Sequence, residues 1–134
     1  IGAARWFVET ATAYANDRQE IGRPIGKNQG IQFPIAEAYM ASEAANLMVE
    51  KAARLFEAGE SCGAEADMAK CLASEASWQA ADMCMQTHGG YAMAEEYDVE
   101  RKFRETRLYR IAPISNNLVL TFIAEHVLGL PRSY

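Results

Sequence analysis

The sequence predicts an all-α fold, a four-helix up-down bundle with one additional short helix. Three observations predict it. Apolar and small residues recur in steps of three and four along nearly the whole chain, the spacing of one helix face. No convincing period-2 run, the mark of a half-buried strand, interrupts them. Glycine and proline cluster at a few points that cut the pattern into segments of helical length.

The first helix is expected from Gly2 to Gln19, with Ala4, Phe7, Ala11, Tyr14 and Arg18 on one stripe. Gly22, Pro24 and Gly26 break it. Pro34 suits the first turn of the second helix, where a missing N–H costs nothing. From there Ile35, Ala38, Ser42, Ala45, Val49, Ala52 and Phe56 read as a continuous buried seam, and Gly59 as a stop. Glu50 and Arg54 fall outside the seam, four apart, and support the helix modestly. The third helix is expected from Ala64 to His88. Its seam of Ala66, Ala69, Ala73, Ala76, Ala80, Met83 and Thr87 is mostly small, so a neighbour can approach closely. Gly89 and Gly90 end it. A shorter helix is expected over Val99–Arg110. Ala112 precedes Pro113 and is biased away from helical angles. Ser115 then caps a last helix through Val127, with Leu120, Ile123 and Val127 inside and Gly129 and Pro131 closing it.

The chain has 134 residues and a net charge of −5, so it reads as one domain whose overall field disfavours nucleic acid. No apolar run approaches the roughly 20 residues of a membrane-spanning helix. There is no signal peptide and no initiating Met, and Ile1 opens directly inside an apolar-periodic segment. The expectation is a piece of a longer protein. Cys62, Cys71 and Cys84 make no CxxC pair and leave one thiol over after any pairing, which fits free thiols in a reducing, cytoplasmic setting.

Metal chemistry is disfavoured. A di-metal bundle needs Glu-x-x-His on one face, no Glu here has a His three residues on, and His88 and His126 are far apart. Walker and GxGxxG motifs are absent, as is a recognisable nucleophile pair. Arg101, Arg104, Arg107 and Arg110 recur every three residues beside Lys102, with Asp98, Glu100 and Glu105 interleaved. A salt-bridged or solvated face is the default reading. Contact with an anionic ligand or a partner subunit is the alternative.

Three separated motifs carry a resemblance that spans nearly the whole chain. The first is Arg18-Gln-Glu-Ile-Gly-Arg-Pro-Ile-Gly-Lys-Asn-Gln29, similar to an Arg-x-x-Phe-Gly motif followed by Gln, with Ile21 in place of Phe. The second is Gln86-Thr-His-Gly-Gly90, similar to Gln-x-x-Gly-Gly-x-Gly with Ala92 for the last Gly. The third is Glu96-Tyr-Asp-Val-Glu-Arg101 with Arg104, leading to Arg107-Leu-Tyr-Arg-Ile111. Together they resemble the C-terminal helical domain of acyl-CoA dehydrogenases, flavoenzymes that oxidise acyl-CoA to 2,3-enoyl-CoA.

The resemblance implies a domain, residues 1–134, that assembles into a homodimer or homotetramer with FAD between subunits. Arg18 would meet the pyrophosphate of the partner's FAD, and Gln29, Gln86, Gly89 and Gly90 would line its adenosine-diphosphate half. Ser115 and Asn117 would touch the chain's own FAD, and Ile114 the acyl-CoA substrate. An electron-transfer flavoprotein or similar acceptor would take the electrons. Read physically, Gly89-Gly90 lies at the negative end of a helix dipole, so Arg18 must supply the charge for phosphate. The match departs from the family at Pro113, which stands where many members carry the catalytic Glu and cannot accept a proton. Glu105 and Glu125 are poor substitutes. Relatives of the isovaleryl- and long-chain-specific types carry the base on the first helix of this domain, a position that falls before Ile1. The expectation is therefore no catalytic base within these residues. Acyl-CoA oxidases and flavin monooxygenases use the same scaffold and remain competitors, as does a non-catalytic bundle that only assembles subunits.

Overall fold

A computed structural model describes residues 1–133. Among the described residues the structure is all-α apart from one miniature hairpin, and its helices pack around α3. Helix α1 spans Gly2–Asp17 and α2 spans Gln29–Glu57. Helix α3 spans Gly63–His88, α4 spans Val99–Leu108, and α5 spans Asn116–Phe122. A π-helical turn, Ile123–Val127, continues α5. Among the described residues no helix is long and apolar enough to cross a membrane.

The expected stripe on α1 is the observed one. Ala4, Phe7 and Ala11 are fully buried against the rest of the core. On α3, Ala69, Ala76, Ala80, Met83 and Thr87 are buried, and so are Ser74, Ser77, Ala81, Cys84 and His88. Helix α3 is therefore covered on more than one side, and its small side chains let α1 and α2 approach closely. Ala66, at its first turn, is exposed.

Four expectations are corrected. The chain between α1 and α2 is not a plain break. Gln19–Glu20 (β1) pairs antiparallel with Arg23–Pro24 (β2), and Ile21 and Gly22 form the two-residue turn at φ 51 and 72. Positive φ at both central residues suits a tight hairpin, but a β-branched residue there is strained. Helix α2 starts at Gln29, so Pro34 lies in its second turn. The start is set by Asn28, whose carbonyl accepts from the N–H groups of Ile31 and Gln32 at 2.9 and 3.0 Å. Pro34 has no N–H for the Gly30 carbonyl, but Gly30 is exposed and that carbonyl stays within reach of water.

The α2 seam is buried only at Ala38, Ser42 and Ala45, while Val49 and Phe56 are exposed. At 29 residues α2 is about 44 Å long, whereas the 16 residues of α1 cover only about 24 Å. Periodicity identifies an apolar stripe; it does not supply something to cover it. On the last helix Leu120 and Val127 face outward, and the inner positions are Asn116 and Val119. A buried polar side chain sets that face, and the apolar pattern could not reveal it. Ser115 does cap α5, its Oγ accepting from the Leu118 N–H at 3.3 Å.

Candidate functional site

The end of α1, the hairpin, the start of α2 and the end of α3 converge on an open cleft of about 620 Å³. Arg18, Gln86, Gly89 and Gly90 line it together with Tyr14 and Tyr91. Sequence separations of up to 77 residues, Tyr14 to Tyr91, thus close into one site. Gln29 does not line it, although its neighbour Asn28 does.

Local backbone bonding fixes Arg18. Its N–H donates to the Tyr14 carbonyl at 2.8 Å and its carbonyl accepts from the Ile25 N–H at 2.9 Å. Gly26 lets this loop lie against α1, since a Cβ there would sit 2.9 Å from the Ala15 carbonyl oxygen. The Arg18 guanidinium is partly exposed. It donates to Glu20 at 3.3 Å and lies 5.3 Å from the centre of the Tyr91 ring. The Glu20 hydrogen bond raises its pKa further, so it is a permanent cation.

Gly89 adopts φ 57 and ψ −134, a conformation open to glycine alone in practice. A Cβ at Gly90 would meet nothing within 4 Å, so packing inside the chain does not demand glycine there. The negative end of the α3 dipole lies at Gly89, as the sequence implied. The structure adds a compensating feature. Because α2 begins at Gln29, its N-terminus opens beside the cleft, with Asn28 and Ile31 among the lining residues. That end carries partial positive charge and free N–H groups. Asn is a preferred N-cap, but here the Asn28 side chain accepts from Arg23 and makes no cap bond, and Gly30 and Pro34 hid the early start.

His88 is a site residue that sequence reasoning left without a role. It is buried at the cleft floor, its ring stacked on Tyr14 with centroids 4.1 Å apart and Tyr97 edge-on at 5.5 Å. Nδ1 lies 2.9 Å from the Cys84 carbonyl, which can only accept, so Nδ1 carries the proton. Nε2 is buried with no hydrogen-bond partner among the described residues. Burial lowers the His88 pKa, partly opposed by the Cys84 carbonyl, and keeps the ring neutral.

The other expected residues lie elsewhere. Ser115 and Asn117 stand at the start of α5, and neither lines the cleft. Ala112 and Pro113, joined by a cis peptide, border a separate pocket of about 310 Å³ with Lys70, Ser74, Ser77 and Tyr109. Ile114 is exposed. From Ser74 to His88 is about 21 Å along α3, so the two groups of residues form separate sites. Among the described residues no carboxylate lines the Pro113 pocket. Glu105 pairs with Arg101 on α4, and Glu125 borders a different pocket with Thr121, Phe122 and His126.

The basic run is a salt-bridged face, as the default reading had it. Arg101 pairs with Asp98 and Glu105, Arg104 with Glu100 at 2.8 Å, and Arg110 with Glu75 at 2.8 Å. Arg107 lies 5.1 Å from the Trp78 ring centre and Lys102 4.9 Å from that of Trp6. The three cysteines are free, and burial pushes the Cys84 thiol up to about 12, which makes it inert. Among the described residues no three His, Cys, Asp or Glu side chains gather as metal ligands.

Residues 1–128 match the family described as acyl-CoA dehydrogenase, C-terminal domain. The acyl-CoA dehydrogenase FadE12 of Mycobacterium tuberculosis is 43% identical over 136 residues, covering 100% of this chain and 35% of that protein. The structure of butyryl-CoA dehydrogenase from Megasphaera elsdenii superposes with a TM-score of 0.91 at 31% identity, covering 95% of this chain and 33% of that one. The FAD complex of PigA gives 0.90 at 32% identity, covering 96% and 33%. The chain spans about a third of the length of these relatives. With the fold and three ordered motifs in agreement, the chain belongs to the acyl-CoA dehydrogenase family, matching its C-terminal helical domain.

Proposed function

We propose that these residues form the FAD-binding and oligomerisation domain of a flavoprotein that oxidises acyl-CoA to 2,3-enoyl-CoA. The observation that carries this reading is the convergence of Arg18, Gln86, Gly89 and Gly90 on one cleft. The donor set fits the adenosine-diphosphate half of FAD. Arg18 offers a fork of N–H groups to the pyrophosphate, helped by the α2 N-terminus. Gln86 offers an amide. Gly90 leaves its side of the backbone open, so a ligand can approach it closely. Glu20 competes for Arg18, and a bound diphosphate would displace it.

In this reading the cleft serves the FAD of a partner subunit, while Ser115 and Asn117 serve the chain's own. The separation of about 21 Å along α3 supports two distinct contacts. Exposed Phe33, Met40, Leu47 and Phe56 on α2, with Leu120, Leu128 and Leu130 near the C-terminus, supply apolar surface for a homodimer or homotetramer. When bound, FAD would supply the hydride acceptor for the β-carbon. The α-proton would go to a carboxylate outside the described residues, because Pro113 cannot take it and none of those residues brings an acid to its pocket. Electrons pass to an electron-transfer flavoprotein or similar acceptor, and the setting is cytoplasmic.

Purified intact protein should carry FAD and convert acyl-CoA to enoyl-CoA with an artificial electron acceptor. Peroxide as the main reduced product would favour an oxidase, and failure to take up FAD would sink the proposal.

A further inference from the structure

Within the segment that joins α4 to α5, residues 111–115 form a loop tied at both ends to one carboxylate oxygen. Arg110 Nε donates to Glu75 Oε1 at 2.8 Å on one side of it, and Asn116 Nδ2 donates to the same oxygen at 2.7 Å on the other. The Asn116 N–H closes the loop by donating to the Arg110 carbonyl at 3.0 Å. The Asn116 side chain is buried and nearly saturated. Its second amide hydrogen goes to Ser74 Oγ at 2.9 Å, and its oxygen accepts from Lys70 Nζ at 2.6 Å. Ser74 is free to accept because its own hydroxyl donates to the Cys71 carbonyl at 2.9 Å.

This network is larger than helix docking needs. Val119 already buries α5 against the core, and Ser115 already caps it. Glu75, whose side chain is 44% exposed, contributes little to global stability through its ion pair with Arg110. What Glu75 does fix is the distance between the two ends of a loop whose tip, Pro113 and Ile114, lies exposed.

We infer that Glu75 is a positioning residue: it sets the geometry of residues 111–115 and thereby of Ile114, Ser115 and Asn117. The inference rests on the proposal above that these three meet substrate and the chain's own FAD. Glu75 touches neither. It acts through Arg110 and Asn116, and the Lys70 and Ser74 contacts hold Asn116 in the orientation that Glu75 requires.

The test uses the intact flavoprotein and the variants Glu75→Gln, Glu75→Ala and Arg110→Gln. Three quantities are read: FAD affinity by flavin fluorescence, amide hydrogen exchange at residues 114–117 in the FAD-free protein, and thermal melting. Glu75→Ala should weaken FAD binding about tenfold, the loss of roughly one charge-assisted hydrogen bond, and speed exchange at 114–117, with a lower melting temperature because the buried Asn116 amide loses an acceptor. Glu75→Gln keeps an acceptor oxygen and should lie close to wild type, with Arg110→Gln between the two. Wild-type affinity and exchange in Glu75→Ala would overturn the inference. So would a lower melting temperature with both local readouts unmoved, since Glu75 would then be a structural tie only. If the wild-type protein itself takes up no FAD, the functional reading falls first and the positioning role with it.

Discussion

The C-terminal end of α3 and its middle make a useful contrast. At Gln86–Gly90 the helix stops in glycine, packs a neutral histidine between tyrosines, and leaves a cleft whose one strong cation is only loosely held by Glu20. At Lys70–Glu75 the same helix saturates a buried asparagine and clamps a loop from both sides. The first region is short of internal partners and therefore suited to an external ligand. The second spends its polar groups within the chain, so it can define where neighbouring residues stand. A site that must bind and a site that must position call for opposite treatment of hydrogen-bonding capacity.

Perturbations of the cleft sharpen this contrast. The largest effect is expected from Arg18→Ala in the intact protein. Losing a charge-assisted contact of about 1.5–3 kcal/mol should weaken FAD binding roughly 10- to 150-fold, as measured by fluorescence titration. Thermal stability should hardly change, because the Arg18–Glu20 pair is exposed. A large drop in melting temperature with unchanged FAD affinity would make Arg18 structural.

Next in size is Gly26→Ala. The added Cβ cannot coexist with the Ala15 carbonyl at 2.9 Å, so the loop under Arg18 must shift. A cost of about 1–3 kcal/mol is expected in urea denaturation, together with weaker FAD binding. The clamp should be untouched, with exchange at 114–117 unchanged.

Ile21→Gly should act in the opposite direction. Ile21 is fully exposed and held at φ 51, so glycine removes about 1–2 kcal/mol of strain and loses no internal contact. The unfolded chain gains some entropy, which leaves a net stabilisation of roughly 1 kcal/mol or less. A destabilised variant would mean that Ile21 packs against something beyond this chain.

The smallest effect is the pH dependence through His88. Its folded pKa lies below the ordinary value of 6.5 because burial disfavours the charged ring. The unfolded chain therefore binds the proton more readily. The stability that His88 contributes is complete above about pH 6.5 and is lost as pH falls toward the lowered folded value. His88→Phe keeps an aromatic ring against Tyr14 and cannot titrate. The difference in urea midpoint between the two proteins should move in favour of the variant as pH drops from 7 toward 5. Parallel pH profiles would contradict the assignment.

Most of the architecture was legible in the residues. The helical periodicity, the small seam of α3, the Ser115 cap and the end of α3 at Gly89 are local properties, and each appears where the chain chemistry puts it. Of the residues singled out by the motifs, Arg18, Gln86, Gly89 and Gly90 line one cleft, while Gln29 does not. What escaped were features decided by competition between neighbours. Pro34 looked like a helix start because proline is tolerated there, but α2 begins one turn earlier, where the Asn28 carbonyl accepts from Ile31 and Gln32. Val49 and Phe56 looked buried because they continue a stripe, but α1 is too short to cover them.

The sequence by itself therefore determined the fold class, the points at which helices stop, and the residue types that can meet an anion, since these depend on backbone preferences and side-chain chemistry within a few positions. Only the tertiary structure decided which face α5 turns inward, why the α2 N-terminus stands beside Arg18, and how Glu75 holds both ends of a distant loop. Those outcomes depend on which groups come within hydrogen-bonding distance once the helices pack, and spacing along the chain carries no record of it.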